Sequence, residues 1–216
     1  MSGSPSRTDS PVVRGMIVVA AMAALMWIVE VVDQVAGGRL DSGGIEPREV
    51  EGLDGIVWAP FLHGGFEHLI GNTIPFLLLG FAIALSGVAR VILVTVIVVV
   101  VGGLGTWLVA PANTVHIGAS GIVFGYAGYL VARGAFSRSV SQILLGLVVL
   151  VVWGATLLQG LVPEDGISWQ GHVFGALGGV LAAWLLERRA RAGPERRSSA
   201  RPGSGAGAGV YVNGGH

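Results

Sequence analysis

The chain has no cysteine, no lysine, and few charged residues of either sign: 12% are charged, against roughly 25% in an ordinary soluble domain. Without cysteine there is no disulfide, no thiolate nucleophile and no cysteine zinc site. Any reaction must be built from serine, histidine, asparagine and carboxylates. With so little charge and 52% hydrophobic residues, water cannot be the solvent for most of the surface, which indicates an integral membrane protein. A formal net charge of zero argues against nucleic acid as a partner and leaves the lipid bilayer as the surroundings to expect. All thirteen basic residues are arginine, and with abundant Gly, Ala and Val this composition fits a GC-rich bacterial genome.

What is present is a series of long apolar runs. Residues 1–14 are dominated by Ser, Pro and Arg, with little to bury, and are expected to be a disordered cytoplasmic tail. The first apolar run, about 15–36, is too long for a signal-peptide core and reads as a retained signal anchor. A loop rich in Gly and charge follows over 37–66, where short, partly inserted helices around 56–62 can be accommodated. Five more runs lie near 67–86, 89–109, 119–135, 139–161 and 168–187, separated by Gly, Pro, Arg or acidic residues. The fold class expected is all-α, a polytopic membrane protein with six transmembrane helices over 15–187. Residues 188–216, rich in Arg, Gly and Ser, are expected to form a second disordered cytoplasmic tail.

Arginine sets the orientation. With six spans both termini share a side, and that side carries Arg7, Arg14, Arg90, Arg133, Arg138 and tail arginines 188, 189, 191, 196, 197 and 201, against Arg39 and Arg48 opposite. The positive-inside rule therefore puts both termini in the cytoplasm of a cell-membrane protein. Spans 2, 4 and 6 then begin on the outer face. His68 and Asn72 start span 2, Ser120 starts span 4, and His172 lies a turn into span 6, so three helices deliver polar groups to one depth. A hydroxyl and an imidazole in hydrocarbon cost several kcal/mol unless paired, so Ser120 and His172 are expected to pair with each other.

Span 4 is unusual. From Ser120 to Arg133 it covers only 14 residues, or about 20 Å of helix against a hydrocarbon thickness of about 30 Å. Its N-terminus is expected below the outer surface, reached by a descending 110–117 segment and by water. Gly121, Gly125 and Gly128 on span 4, and Gly171, Gly175 and Gly179 on span 6, form small-residue stripes that permit close backbone approach. Such stripes are also ordinary packing motifs. If the helices do meet there, His172 can take the Ser120 proton during attack on a carbonyl and return it to the leaving amine. The acids near the spans, Glu30, Asp33, Glu67 and Glu187, all lie toward span ends, which favours a Ser–His dyad over a triad. His68 and Asn72, four residues apart on one helix face, and the Ser120 amide at a helix N-terminus are candidate oxyanion donors. His63 and His116 lie in loops and are weaker candidates.

The ordered set His63-x4-His68-x3-Asn72, Gly118-x-Ser120-Gly121 and Gly171-His172-x2-Gly175-x3-Gly179 resembles the rhomboid family of intramembrane serine proteases, over about 15–187. The resemblance implies a rhomboid-like bundle with a short central fourth helix, Ser120 as nucleophile, and His172 as general base. It also implies His68 and Asn72 as oxyanion donors, with Gly118 in the same stabilising motif. Cleavage of transmembrane-protein substrates near their outer ends, without metal or organic cofactor, would follow. Two positions depart from the family pattern. Trp58 is followed by Ala59 where many members have Trp-Arg, and Phe124 stands where many have tyrosine under the histidine.

Other readings are weaker. A soluble-type esterase would need Gly-x-Ser-x-Gly, and the last glycine position is Ile122. The run His63-Gly64-Gly65-Phe66-Glu67-His68 only superficially resembles an inverted zinc motif, which would need histidine at Gly64. A non-catalytic adaptor or chaperone binding transmembrane helices would usually lack the serine or histidine. A small transporter would more naturally show an intramembrane carboxylate or an inverted repeat. Oligomeric state is not legible.

Overall fold

Each apolar run becomes one helix, because in a lipid environment the backbone must satisfy its own polar groups. The computed structural model describes residues 10–164 and 166–199, with side chains as far as Ala190. Six long helices, α1 (Pro11–Ala36), α3 (Phe66–Ala84), α4 (Val88–Val109), α5 (Ser120–Ser137), α6 (Val140–Gly160) and α7 (Trp169–Ser199), lie where six spans are expected. A single-turn helix, α2 (Gly55–Trp58), interrupts the loop between α1 and α3. No strand is formed among the described residues, where the sole β-type pairing is an isolated antiparallel bridge between Ile45 and His116.

Two boundaries differ from expectation. Helix α1 begins at Pro11, where a proline in the first turn lacks only a hydrogen bond that no helix makes there. Helix α7 runs on to Ser199, so residues 188–199 are helical rather than an irregular tail. Arginine, alanine and glutamate there are good helix formers, and composition alone does not reveal that. Tail residues 1–9 and 200–216 lie outside the described residues.

Five of the six long helices are long and apolar enough to cross a membrane by length and composition alone. The exception is α5, which packs against α3, α4, α6 and α7. Because protein surrounds it, its residues need not be compatible with lipid, and Ile122, Phe124, Tyr126, Tyr129 and Leu130 are all buried. It has 18 residues, four more than the count ending at Arg133, and at about 27 Å still falls short of a full hydrocarbon crossing. Outward faces are apolar instead: on α6, Val151 is 85% and Leu158 70% exposed. In water such a surface would be a liability, and against lipid it is the expected solution.

The α5–α7 contact is the tightest in the bundle. A Cβ on Gly175 would collide with the Gly121 carbonyl, and one on Gly179 with the Gly125 carbonyl. Gly125 itself lies against Val98, and the Cβ position of Gly121 falls 3.4 Å from the Gly171 oxygen. The four glycines therefore let the two backbones touch, which is how small-residue stripes bind helices where the hydrophobic effect is weak. At the arginine-rich end, Glu187 of α7 receives Arg90 of α4 at 2.9 Å and Arg133 of α5 at 3.2 Å, and Arg133 also donates to Ser86. The three inner helices are thus tied by backbone contact along their length and by charge at one end.

The loop between α1 and α3 is anchored to the far end of α4. Arg48 donates to the carbonyls of Leu108 and Ala110, and the Trp107 indole donates to the Glu49 carbonyl. This fixes the loop over the entrance to α5.

Candidate active site

Ser120 opens α5. Its position follows from the preceding backbone, which turns through Gly118 at φ +109°, a conformation L side chains rarely adopt. Space demands glycine there as well, since a Cβ would sit 2.7 Å from the His68 ring. Gly118 donates its N–H to the Ala59 carbonyl at 2.8 Å, and the next amide, Ala119, donates to Nε2 of His63 at 3.3 Å. The approach to the serine is therefore fixed residue by residue.

His172 sits one turn into α7 and is 7% exposed. Its Nε2 lies 2.8 Å from the Ser120 Oγ, and its Nδ1 lies 2.6 Å from the carbonyl oxygen of Gly160, the last residue of α6. A carbonyl has no proton to give, so Nδ1 must carry the hydrogen and Nε2 is left as the acceptor for the serine hydroxyl. The imidazole lies flat on Phe124, with ring centroids 4.1 Å apart and planes within 2°. The ring orientation is thereby set by three helices: α7 carries it, α5 supplies the stacking surface, and α6 holds its far nitrogen.

The remaining candidates divide. His68, at the start of α3, packs its ring against Gly118, two residues from Ser120. Asn72 is buried, but its amide donates to the His68 carbonyl at 3.0 Å, back into its own helix. Gly118 shapes the approach while its N–H is engaged by Ala59. Ser120 and Gly121 are the first residues of α5, where helical N–H groups have no carbonyl partner within their own helix.

Two contributors were hard to see in the sequence. His63 is 1% exposed, and burial, with the neighbouring His68 imidazole, pushes its pKa down to about 4. It is thus neutral at physiological pH and free to accept the Ala119 N–H. The other is the Gly160 carbonyl, a backbone group with no side-chain signature, although the glycine is required: a Cβ would come 2.6 Å from Phe124 and 3.1 Å from the His172 Nδ1.

A small cavity of about 50 Å³, open to the outside, meets Ser120 from the side of α4 and the α2 loop. Its walls are mostly apolar, with Ile56, Val98 and Ile122 among them, and Thr106, His116 and Ser168 supply polar groups beside the serine.

Residues 51–189 match the Rhomboid domain, a segment that starts after α1 and ends within α7. The chain is similar to a protein of Mycobacterium tuberculosis (strain ATCC 25618 / H37Rv), named only as uncharacterised, at 45% identity over 201 residues, covering 88% of this chain and 82% of that one. A second uncharacterised protein, from Mycobacterium leprae (strain TN), is 42% identical over 195 residues, covering 86% of this chain and 75% of the relative. A Bacillus subtilis (strain 168) protein named "Putative rhomboid protease YdcA" is 30% identical over 131 residues, covering 59% of this chain and 64% of that protein. On the domain match, the helical bundle and these relatives, the chain belongs to the rhomboid family.

Proposed function

We propose that the protein is an intramembrane serine endopeptidase that hydrolyses peptide bonds in or near transmembrane segments of membrane-protein substrates. The observation that carries this reading is the 2.8 Å contact between Ser120 Oγ and His172 Nε2, with the opposite ring nitrogen held by a carbonyl. A hydroxyl facing the unprotonated nitrogen of an oriented imidazole is the arrangement a nucleophilic serine needs.

The reaction proceeds in two halves. Oγ attacks the substrate carbonyl carbon as its proton passes to Nε2, giving a tetrahedral oxyanion and an imidazolium. His172 returns that proton to the leaving amine, the C–N bond breaks, and the acyl group remains on Ser120. Water then attacks the ester, giving its proton to His172. Collapse releases the carboxyl product and restores the Ser120 hydroxyl. The oxyanion is best served by His68 and by the first-turn amides of α5, where the helix dipole also favours negative charge. Asn72 gives one of its two amide N–H groups to the His68 carbonyl, and the second is the donor it would offer beside them. No acidic side chain takes part: the Gly160 carbonyl orients the imidazole.

The arginine distribution supports a cell-membrane location with both termini in the cytoplasm, which puts the dyad toward the outer face. The direct test is cleavage of a transmembrane substrate by purified protein, compared with Ser120→Ala and His172→Ala. Both variants should lose cleavage, and labelling by a fluorophosphonate should vanish with Ser120→Ala. Cleavage surviving both substitutions would overturn the mechanism. Failure of the folded wild-type protein to label at all would favour a non-catalytic helix-binding role.

A further inference from the structure

The two chain segments that supply the dyad are joined a second time. In the first, His116 precedes Ser120 by four residues, and in the second, Ser168 precedes His172 by four. His116 Nδ1 lies 2.7 Å from Ser168 Oγ, while Ser120 Oγ lies 2.8 Å from His172 Nε2. Each link is a hydroxyl against an imidazole, with the two residue types exchanged between the segments. Resting on the catalytic reading above, we propose that His116 and Ser168 are a positioning pair that sets the separation and register of Ser120 and His172.

Every neighbouring bond of this pair serves that purpose. The other ring nitrogen of His116 meets Thr114 Oγ1 at 2.8 Å, so the ring is held on both sides. The His116 backbone exchanges two 3.0 Å hydrogen bonds with Ile45, which roots it in the loop that covers the site. On the other segment, the Ser168 carbonyl accepts the His172 amide at 3.1 Å, so Ser168 is linked directly to the backbone of the proposed base. The Cβ position of Gly171 lies 3.0 Å from Ser168 Oγ and 3.4 Å from Thr106 Oγ1, and a larger residue there would push into the pair. His116 and Ser168 also line the cavity that reaches Ser120, so the pair forms a polar wall beside the reacting atoms rather than a remote brace.

The 110–119 segment is irregular backbone and α7 begins only at Trp169, and the close glycine contacts of the two helices start at Gly121 with Gly171 and Gly175. Those contacts hold the two segments beside and beyond the dyad. The His116–Ser168 bond, four residues upstream on each, fixes the other side of the dyad, and a displacement of about 1 Å at a reacting pair is worth about 100-fold in rate.

The test uses full-length protein with Ser168→Ala, Ser168→Thr and His116→Asn. Ser168→Ala should lower kcat about 10- to 100-fold with KM nearly unchanged and the thermal midpoint preserved. Ser168→Thr, which keeps the hydroxyl, should restore most of the rate. A readout independent of turnover is the ring 15N spectrum of His172: in Ser168→Ala and His116→Asn its Nε2 signal should move toward the position it takes in Ser120→Ala, where the contact is absent by construction. Wild-type kcat in Ser168→Ala, an equal loss in Ser168→Thr, or an unmoved His172 signal would each overturn the pairing role. Inactive wild-type protein whose His172 signal nevertheless shifts in Ser168→Ala would instead retain the positioning and remove the peptidase reading.

Discussion

Helices α6 and α7 both reach His172, yet they are held in the bundle by different means. Helix α7 lies in backbone contact with α5 through Gly175 and Gly179 and is tied to α4 and α5 again through Glu187. Helix α6 buries only Gly146 and Val149 and turns most of its surface outward. It touches α5 where Gly146 approaches Val131 and Gly134 approaches Ile143, has open space around Gly154, and meets the site again at Gly160. The imidazole is thus carried by a helix packed backbone to backbone against α5 and oriented by the most weakly packed one. The α5–α7 pair holds the reacting atoms together, and α6 meets that pair at few points.

The same substitution on the two helices should break this comparison most sharply. Gly175→Ala or Gly179→Ala drives a methyl into an α5 carbonyl that cannot rotate away, because it belongs to the helix backbone. Overpacking of this kind costs about 1–3 kcal/mol, which lowers the thermal midpoint by several degrees and removes activity with it. Gly154→Ala on α6 meets nothing within 4 Å and should leave both unchanged, or gain up to about 1 kcal/mol from helix propensity. Thermal unfolding in detergent, run side by side with cleavage, reads both. Equal destabilisation by Gly154→Ala would mean that α6 is packed as firmly as α7.

A smaller but more specific effect is expected at Gly160. Alanine there intrudes on Phe124 and on the His172 Nδ1, displacing the ring from its carbonyl partner while touching little of the core. Activity should fall about 100-fold, and the thermal midpoint should move by no more than about 2 °C. If Gly160→Ala instead kept full activity, the carbonyl would not be orienting the base, and α6 would be irrelevant to the chemistry rather than loosely coupled to it.

These two predictions also mark what could be read before the fold was seen. Long apolar runs specify membrane helices because lipid permits few alternatives, and a serine and a histidine stand out in such runs because isolation there is costly. The glycine spacings on spans 4 and 6 were equally visible. The Gly160 carbonyl was not, since every residue has one and only the end of α6 turns this one toward the imidazole. Asn72 and His63 show what residue type and spacing leave open. Asn72 has a suitable residue type at a suitable spacing, and only the fold shows that one of its two N–H groups is spent on the His68 carbonyl. His63 lies in a loop, as its sequence context suggests, and it is the loop's burial that makes it a fixed, neutral acceptor for Ala119. The helical continuation to Ser199 was hidden by composition, because arginine-rich sequence reads as solvated whether or not it is helical.

The smallest effect concerns how the serine side of the site responds to acid, a constraint that neither α6 nor α7 supplies. His63 is neutral in the fold because burial disfavours its charged form, with a pKa near 4 against an ordinary 6.5. The unfolded chain therefore takes up this proton first as pH falls. Stability from the site is complete above about pH 6.5, declines between 6.5 and 4, and levels off below that. At pH 6 the loss amounts to about fourfold in the folding equilibrium. Protonation would also turn Nε2 into a donor facing the donor of Ala119, releasing the start of α5. His63→Gln offers a non-titrating acceptor at the same place, so the difference in thermal midpoint between wild type and variant should be flat from pH 8 to 7 and then move against the wild type on acidification. A difference that stays constant down to pH 5 would mean that His63 is not held neutral, and that the serine end of α5 owes its position to Gly118 and its neighbours alone.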